Sequence, residues 1–517
     1  MITLFKQSHS KMVFLFFAIY LLIGVSIFRD YGISCDETFQ RDIGQQAFQF
    51  IIEPNQGSLF YPGKYYGPVL EVVLISLEKV LRGITQELRD VFYMRHLVTF
   101  LLFYLGTIFF YLLCRERFQS WKMGLLGSFF LILSPRIFAD SFYNSKDIAF
   151  LSVFIISVYT LTSYLNQRTF LRALIHALVS AFLIDIRIPG IIVPFFTIFS
   201  LILLSFTADL KVLRENLLSL LFYGAALILF TIFLWPFLWF NSIGNFWSAF
   251  KFMAHFPIDY KLLYGGQFLY ASAVPWHYIP VWIAITTPIA YIVLFCIGFA
   301  ALWKDLLTQG LSFFQKRIND FIFLIWFLFP LVMVIVLKSV LYDAWRQMFF
   351  VYPAFLLLSL IGLRTLLKGI EDRKLAAGKV IVIVLLSVNL MNVAYFMIKN
   401  HPYQNVYFNA FAGRDMADVK DNFELDYWGL SYRKALEYIV EHDSSKEIRV
   451  YVDFIPGVLN SIMLNAQDSR RLKYVNNINK AKYFVGNYKW HRKEYLFKKE
   501  FYSTKVNGVK IVCVYQL

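Results

Sequence analysis

The chain has 517 residues, 58% of them hydrophobic, 19% aromatic and only 16% charged, with a formal net charge of +16. An ordinary soluble domain carries about 25% charged residues, so these proportions exclude one. Apolar runs long enough to span a bilayer recur along the chain, and in such a protein surplus Lys and Arg mark topology, not nucleic-acid binding.

The first apolar run, 12–28, is followed by no small-residue cleavage pattern and is expected to stay as an anchor. In all, about eleven spans are predicted, at 12–28, 93–113, 121–134, 148–165, 171–186, 189–207, 217–239, 279–302, 321–338, 347–366 and 379–398. One set of short loops is basic: Arg115, Arg117 and Lys122; Arg168 and Arg172; Lys211 and Arg214; Lys304, Lys316 and Arg317; Arg364, Lys368, Arg373 and Lys374. With Lys6 and Lys11, these loops are expected in the cytoplasm. An odd number of spans then puts residues 401–517 outside. The sequence has no N-x-S/T sequon, which favours a bacterial inner membrane with a cytoplasmic N-terminus and a periplasmic C-terminal domain. The expected fold class is an all-α polytopic membrane protein (residues 1–400) with a small C-terminal α/β domain (401–517).

The first outer loop, 29–92, holds two helical patterns. Phe39, Ile43, Ala47, Phe50 and Ile51 form one stripe; Val69, Val72, Val73, Leu77 and Val80 form another, with Glu71, Glu78 and Lys79 opposite. Helices of this kind lie along a membrane surface. Between them Y-P-G-K-Y-Y-G-P, 61–68, is a turn presenting Lys64 beside Tyr65. Further outer segments are 134–147, 185–190, 240–278 (which ends P-W-H-Y and carries His277) and 338–347. Beyond residue 400 an amphipathic helix is expected at 430–441 and strands at 447–454, 482–485 and 508–515. The stretch 470–510 has twelve Lys or Arg against two Glu, which suits a solvated face near anionic headgroups or a surface for an anionic glycan. Four cysteines occur without a C-x-x-C or zinc-like spacing, and sequence alone does not pair Cys35 with Cys513.

The chemistry centres on Asp36 and the adjacent Glu37, where the first span gives way to water. Ser34-x-x-Glu37 is also a capping-box pattern, so these carboxylates have a purely structural reading. The same holds for Asp140 and Asp147, since Asn144 or Ser145 can cap the following helix. Their gathering on one membrane face with Lys64 and Arg346 favours a site. A sugar on a lipid phosphate is already activated. Its transfer needs a carboxylate to take the proton of an attacking hydroxyl and cations to stabilise the departing phosphate. Asp36, with Glu37 beside it, fits the first need; Lys64 and Arg346 fit the second. No nucleotide-binding glycine motif occurs. Two acidic clusters could hold a divalent ion, so a cofactor requirement stays open and no metal ligand is assigned. His277 is most simply a satisfied interfacial histidine; it and Tyr65 complete the candidates.

C-D-E-T at 35–38, S-P-R-I-F-A-D-S-F-Y-N-S-K-D-I at 134–148, P-W-H-Y-I-P-V-W-I-A-I-T-T-P at 275–288 and Y-D-A-W-R-Q-M-F-F-V-Y-P at 342–353 resemble the GT-C membrane glycosyltransferases over roughly residues 10–400. Within that class the chain looks most like the protein O-mannosyltransferases and the bacterial aminoarabinose transferase. The resemblance implies inverting transfer from a polyprenyl-phosphate sugar to a glycan, lipid or protein acceptor. It matches Asp36 to the catalytic acid residue, Asp147 to a second essential Asp at the acceptor side, Lys64 to a lysine contacting lipid phosphate, and Arg346 to the arginine preceding a proline-bearing helix. Asp140 and His277 are secondary matches. The small tail lacks the long β-trefoil of the protein mannosyltransferases, which puts a protein acceptor in doubt. Two other classes compete: a transporter or flippase of lipid-linked sugars, which would place its site near the midplane, and a non-catalytic envelope polysaccharide assembly protein.

Overall fold

The computed structural model describes residues 8–54, 63–205, 210–254 and 256–517. Helix α1 (Ser8–Ile27) leads into the first loop, which carries α2 (Glu37–Ile52) and α3 (Val69–Arg82). There follow α4 (Leu88–Phe118), α5 (Trp121–Ile132), α6 (Pro135–Tyr143), α7 (Asp147–Asn166), α8 (Phe170–Ile186), α9 (Ile192–Ser205) and α10 (Leu210–Leu234). After α11 (Ser242–Ala254) comes a hairpin of β1 (Lys261–Tyr264) and β2 (Gln267–Tyr270). Its turn is Gly265–Gly266, both in the left-handed region, which is the backbone a two-residue hairpin turn requires. Then come α12 (Tyr278–Thr286), α13 (Ile289–Gln309), α14 (Leu311–Val336), α15 (Tyr352–Asp372) and α16 (Ala376–Lys399).

Among the described residues nine helical segments are long and apolar enough to cross a membrane: α1, α4, α7, α9 together with the 3-10 turn before it (Ile188–Ser205), α10 and α13 to α16. The count falls below the expected eleven by two runs, 121–134 and 171–186. The 121–134 run becomes α5, which breaks at Pro135 and continues as α6 at 71°. Proline has no N–H to extend a helix but starts one readily. If that bent pair is one span, the number is ten. The 171–186 run is α8, with 17 residues, lodged against α7 and α10. The 279–302 run divides at Pro288 into α12 and α13.

Helices α2 and α3 form where the two periodicities placed them. In α3 the apolar stripe points outward: Val73, Leu77 and Val80 are exposed, while Glu71 and Glu78 are buried. Glu71 pairs with Arg95 of α4 at 2.5 Å and Glu78 with Arg41 of α2 at 2.5 Å. Apolar outside and charged inside is the arrangement a helix adopts when its outer medium is lipid.

The C-terminal region begins with α17 (Met416–Asn422) and α18 (Tyr432–His442). Its five-stranded sheet has the order β4–β3–β5–β7–β6, from β3 (Ile448–Val452), β4 (Leu472–Tyr474), β5 (Tyr483–Gly486), β6 (Lys499–Val506) and β7 (Val509–Gln516). β3 runs parallel to β4 and β5; β7 is antiparallel to both neighbours. The predicted strands are β3, β5 and β7; β4 and β6 are additional. Tyr432, Ala435, Leu436 and Ile439 of α18 close one face over Val450, Val485, Val512 and Val514. All four cysteines are free. This domain clamps the segment after α1. The Asn460 amide accepts from Ile33 N (2.9 Å) and donates to Ile33 O (3.0 Å), and Arg433 donates to Tyr31 O (2.9 Å).

Helices α13 and α15 touch through backbone. A Cβ on Gly298 would lie 1.9 Å from Leu358 O, and one on Gly362 1.9 Å from Leu294 O. Small residues permit such close crossings in membranes. Gly298→Ala is expected to destabilise the protein by about 1–3 kcal/mol through overpacking. Gly224→Ala in α10, where a Cβ meets nothing within 4 Å, should leave stability unchanged or slightly raised. Thermal unfolding midpoints in detergent check both.

Candidate active site

Three separate segments bring Asp36, Asp147 and Arg346 to one end of the bundle. Asp36 immediately precedes α2. Glu37 reaches back to accept from Ser34 N (2.7 Å), half of a capping box, while the Ser34 hydroxyl donates to Tyr143 O (3.2 Å) and ties this corner to α6. Asp147 opens α7, where Asn144 Oδ1 accepts from its N–H (2.8 Å). Arg346 follows a tight reversal in which Asp343 and Ala344 both have positive φ, +54° and +62°. Consecutive left-handed non-glycine residues cost roughly 1–3 kcal/mol each. Here they turn the chain so that Arg346 faces Asp343.

Arg346 is the hub. Its Nη1 lies 3.0 Å from Asp36 Oδ2 and 3.0 Å from Asp147 Oδ2, and its Nη2 3.3 Å from Asp343 Oδ2. The guanidinium stacks over Trp428 (4.6 Å) and Tyr342 (5.0 Å). Each buried carboxylate has a second cation: Arg187 on Asp147, and Lys489 on Asp343 at 2.7 Å. Asp36 differs. Its side chain keeps 35% exposure, and its other oxygen is 3.7 Å from the Cys35 thiol. Burial pushes the Asp343 carboxyl up, but Lys489 and Arg346 together outweigh it and hold it below the ordinary aspartate range. Lys146 sits 3.6 Å over the Tyr66 ring. Burial and then the neighbouring Arg187 push its ammonium down to about 7, against the pull of Asp147 and Asp36.

The other candidates lie around this hub, not in it. Glu37 is buried and turned away, 2.9 Å from His96 Nε2. Asp140 is fully buried and accepts from Tyr143 OH (2.7 Å), Asn144 Nδ2 (3.0 Å) and Trp428 Nε1 (3.2 Å). Through Asn144 it steadies Asp147; through Trp428 it steadies the aromatic face under Arg346. The Lys64 ammonium lies over Tyr65 (5.0 Å) and near Phe237 (5.9 Å), and Tyr65 packs on Phe237 and Phe252. His277 meets Tyr264 OH at 2.7 Å, at the start of α12. Among the described residues no three His, Cys, Asp or Glu side chains are grouped to hold a metal ion.

The local sequence does not mark Arg187, Asp343, Trp428, Lys146 or Lys489 as members of this cluster. Asp343 and Lys146 lay inside segments already singled out, and Arg187 in the 185–190 loop. Trp428 and Lys489 come from the C-terminal domain, and nothing local connects them to Arg346. A mostly apolar cleft of ≈ 450 Å³ is lined by Val274, Pro275, Trp276, Ile279, Leu331 and Ile335, with Ser272, Lys338 and Ser339 polar. Its lining reaches Leu341, next to Tyr342 and five residues before Arg346.

No family model matches the chain, and no curated protein matches it in sequence. Solved structures do match in fold. ArnT from Cupriavidus metallidurans in the apo state aligns over 98% of each chain with 12% identity and a TM-score of 0.50. The same protein bound to undecaprenyl phosphate gives 13% identity, 98% of each chain and a TM-score of 0.49. The oligosaccharyltransferase AglB from Archaeoglobus fulgidus, in complex with an inhibitory peptide and a dolichol-phosphate, covers 92% of this chain and 69% of its own, at 13% identity and a TM-score of 0.45. The chain has an ArnT-like GT-C fold: a membrane helix bundle with a small C-terminal sheet domain.

Removing one partner of a buried charge cluster leaves the others uncompensated, at about 3–5 kcal/mol. Arg346→Met is therefore expected to lower stability by that order. Arg346→Met combined with Asp36→Asn, which removes the one carboxylate of the three that has no second cation, should recover part of it, as read from unfolding midpoints.

Proposed function

We propose that this protein is an integral membrane glycosyltransferase that moves a sugar from a polyprenyl-phosphate donor to an acceptor hydroxyl, at a site facing the outer side of the membrane. The observation that carries this is the asymmetry of the hub. Asp147 and Asp343 are buried and doubly paired, whereas Asp36 shares the same guanidinium and stays open. A carboxylate in that position can receive a proton. The cation beside it can receive a phosphate.

In the reaction the acceptor oxygen attacks the anomeric carbon as the carbon–oxygen bond to phosphate breaks. Asp36 takes the hydroxyl proton, and polyprenyl phosphate leaves with the bonding electron pair. A single displacement inverts the anomeric configuration and needs one carboxylate, not two. Arg346 stabilises the developing phosphate charge, with Arg187 and Lys146 nearby as further cations. Because Arg346 is already fixed by Asp147, Asp343 and two aromatic faces, it needs little reorganisation during the reaction. The cleft leading to Leu341 offers an apolar path for an isoprenoid chain. The site also lies at one end of the bundle, against the C-terminal domain. That favours an enzyme over a transporter, whose sites lie near the midplane. A bacterial inner membrane, with this end periplasmic, fits the charge distribution of the loops.

The test supplies labelled polyprenyl-phosphate hexose to purified protein in liposomes, with glycan, lipid or peptide acceptors. Wild type should consume donor and release polyprenyl phosphate. Asp36→Asn should lose at least about 10²-fold in turnover, since a positioned general base contributes about 10²–10⁴-fold, in protein that still shows a cooperative unfolding transition. Equal turnover in the variant would remove Asp36 as the base. Transit of intact donor across the liposome wall would point to a transporter instead.

A further inference from the structure

We propose that Lys489, supplied by the C-terminal domain, is a positioning residue of this site: it neutralises Asp343 so that Arg346 keeps its charge for Asp36 and the incoming lipid phosphate. This deepens the function proposed above and rests on it.

The geometry is a chain of alternating charge. Lys489 Nζ is 2.7 Å from Asp343 Oδ1, Asp343 Oδ2 is 3.3 Å from Arg346 Nη2, and Arg346 Nη1 is 3.0 Å from Asp36 Oδ2. Lys489 and Asp343 are both buried. The ammonium also donates to Tyr427 O (3.4 Å) and is walled by Phe454 (5.0 Å), Tyr260 (5.4 Å) and Trp490 (5.5 Å). Its backbone is specially shaped, since Tyr488 and Trp490 on either side have φ of +65° and +62°. Asn487 anchors the same loop through Asp426 O (2.9 Å). A strained loop that delivers one lysine into an aromatic-walled pocket is more than a surface ion pair.

The electrostatics say what Lys489 does. Asp343 has two cationic partners, Lys489 and Arg346. With Lys489 gone, a buried carboxylate would have Arg346 alone, and burial makes that attraction strong. The guanidinium would turn toward Asp343 and away from Asp36. A second buried carboxylate, Glu424, has one oxygen without a partner, and Lys489 and Asp343 are its charged neighbours. Losing Lys489 would leave that carboxylate unbalanced too.

The alternative is that Lys489 merely clamps the domain onto the bundle. Charge balance and clamping part company in the double variant Asp343→Asn/Lys489→Met, which removes the ion pair whole. A balance role predicts recovery; a clamp role predicts none. The experiment uses the full chain in nanodiscs, with equilibrium binding of polyprenyl monophosphate and turnover of polyprenyl-phosphate hexose measured on wild type, Lys489→Met, Lys489→Arg and the double variant. Expected are a loss of about tenfold or more in lipid phosphate affinity for Lys489→Met, a donor KM raised more than kcat is lowered, recovery to within about threefold of wild type in Lys489→Arg, and a double variant that binds at least about threefold tighter than Lys489→Met. Affinity of Lys489→Met equal to wild type, or a double variant as weak as Lys489→Met, overturns the proposal. Binding without turnover in wild type would remove the transferase function, while the binding series still decides the role of Lys489. A wild type that binds no lipid phosphate overturns both.

Discussion

A guanidinium buried at the end of the helix bundle sets the constraint on everything around it. Arg346 cannot be desolvated alone, because an unpaired buried charge is prohibitively costly. It is compensated by carboxylates from three segments and by the faces of Trp428 and Tyr342. Each partner fixes part of the fold: Asp36 the start of α2, Asp147 the start of α7, Asp343 the strained turn before α15, and Trp428 the C-terminal domain. The same demand for compensation extends outward to Arg187 on Asp147, Lys489 on Asp343, and Asn144 linking Asp140 to Asp147. Asp36 alone of the three carboxylates is left partly open. On the proposed function, that partly open carboxylate is where the cluster receives a proton.

The first loop follows the same physics. Glu71 and Glu78 turn inward to Arg95 and Arg41, and Ser145 donates to Glu71 (2.8 Å) just ahead of Asp147. In α3 the inward face thus carries two paired carboxylates among Leu70, Leu74 and Ile75, and the outward face is apolar. Further ion pairs, Arg117 and Arg317 on Asp320 and Arg317 on Asp305, brace α4, α13 and α14 through residues of the basic loops. Between these polar layers the bundle is closed by aromatic stacking and by the backbone contact of α13 with α15.

Much of this was legible in the sequence, for identifiable reasons. Apolar run length gave the membrane class, and 3–4 residue periodicity gave α2 and α3, because both are local properties. Pro135 and Pro288 divided two runs that composition alone reads as continuous. The Gly-Gly hairpin at 265–266 had a readable signal that hydropathy obscured. Asp36, Asp147 and Arg346 stood out because acidic residues and cations gather on one predicted membrane face, and the structure brings those three together. Lys64 and His277 carried similar local signals; Lys64 lies over Tyr65 and near Phe237, and His277 meets Tyr264. The double pairing of the hub was not legible. Lys489 and Trp428 join it through long-range tertiary contacts, Lys489 to Asp343 across 146 residues, and nothing in the sequence around either, not even the distinctive 423–433 stretch, points to Arg346.

The most direct test of the account is a structure of the protein in nanodiscs with polyprenyl monophosphate bound. The account predicts phosphate within hydrogen-bonding distance of Arg346, flanked by Arg187 or Lys146, with the lipid chain in the cleft by Trp276 and Asp36 still open toward the vacant sugar position. Phosphate seated elsewhere, with Arg346 still saturated by its three carboxylates, would contradict it.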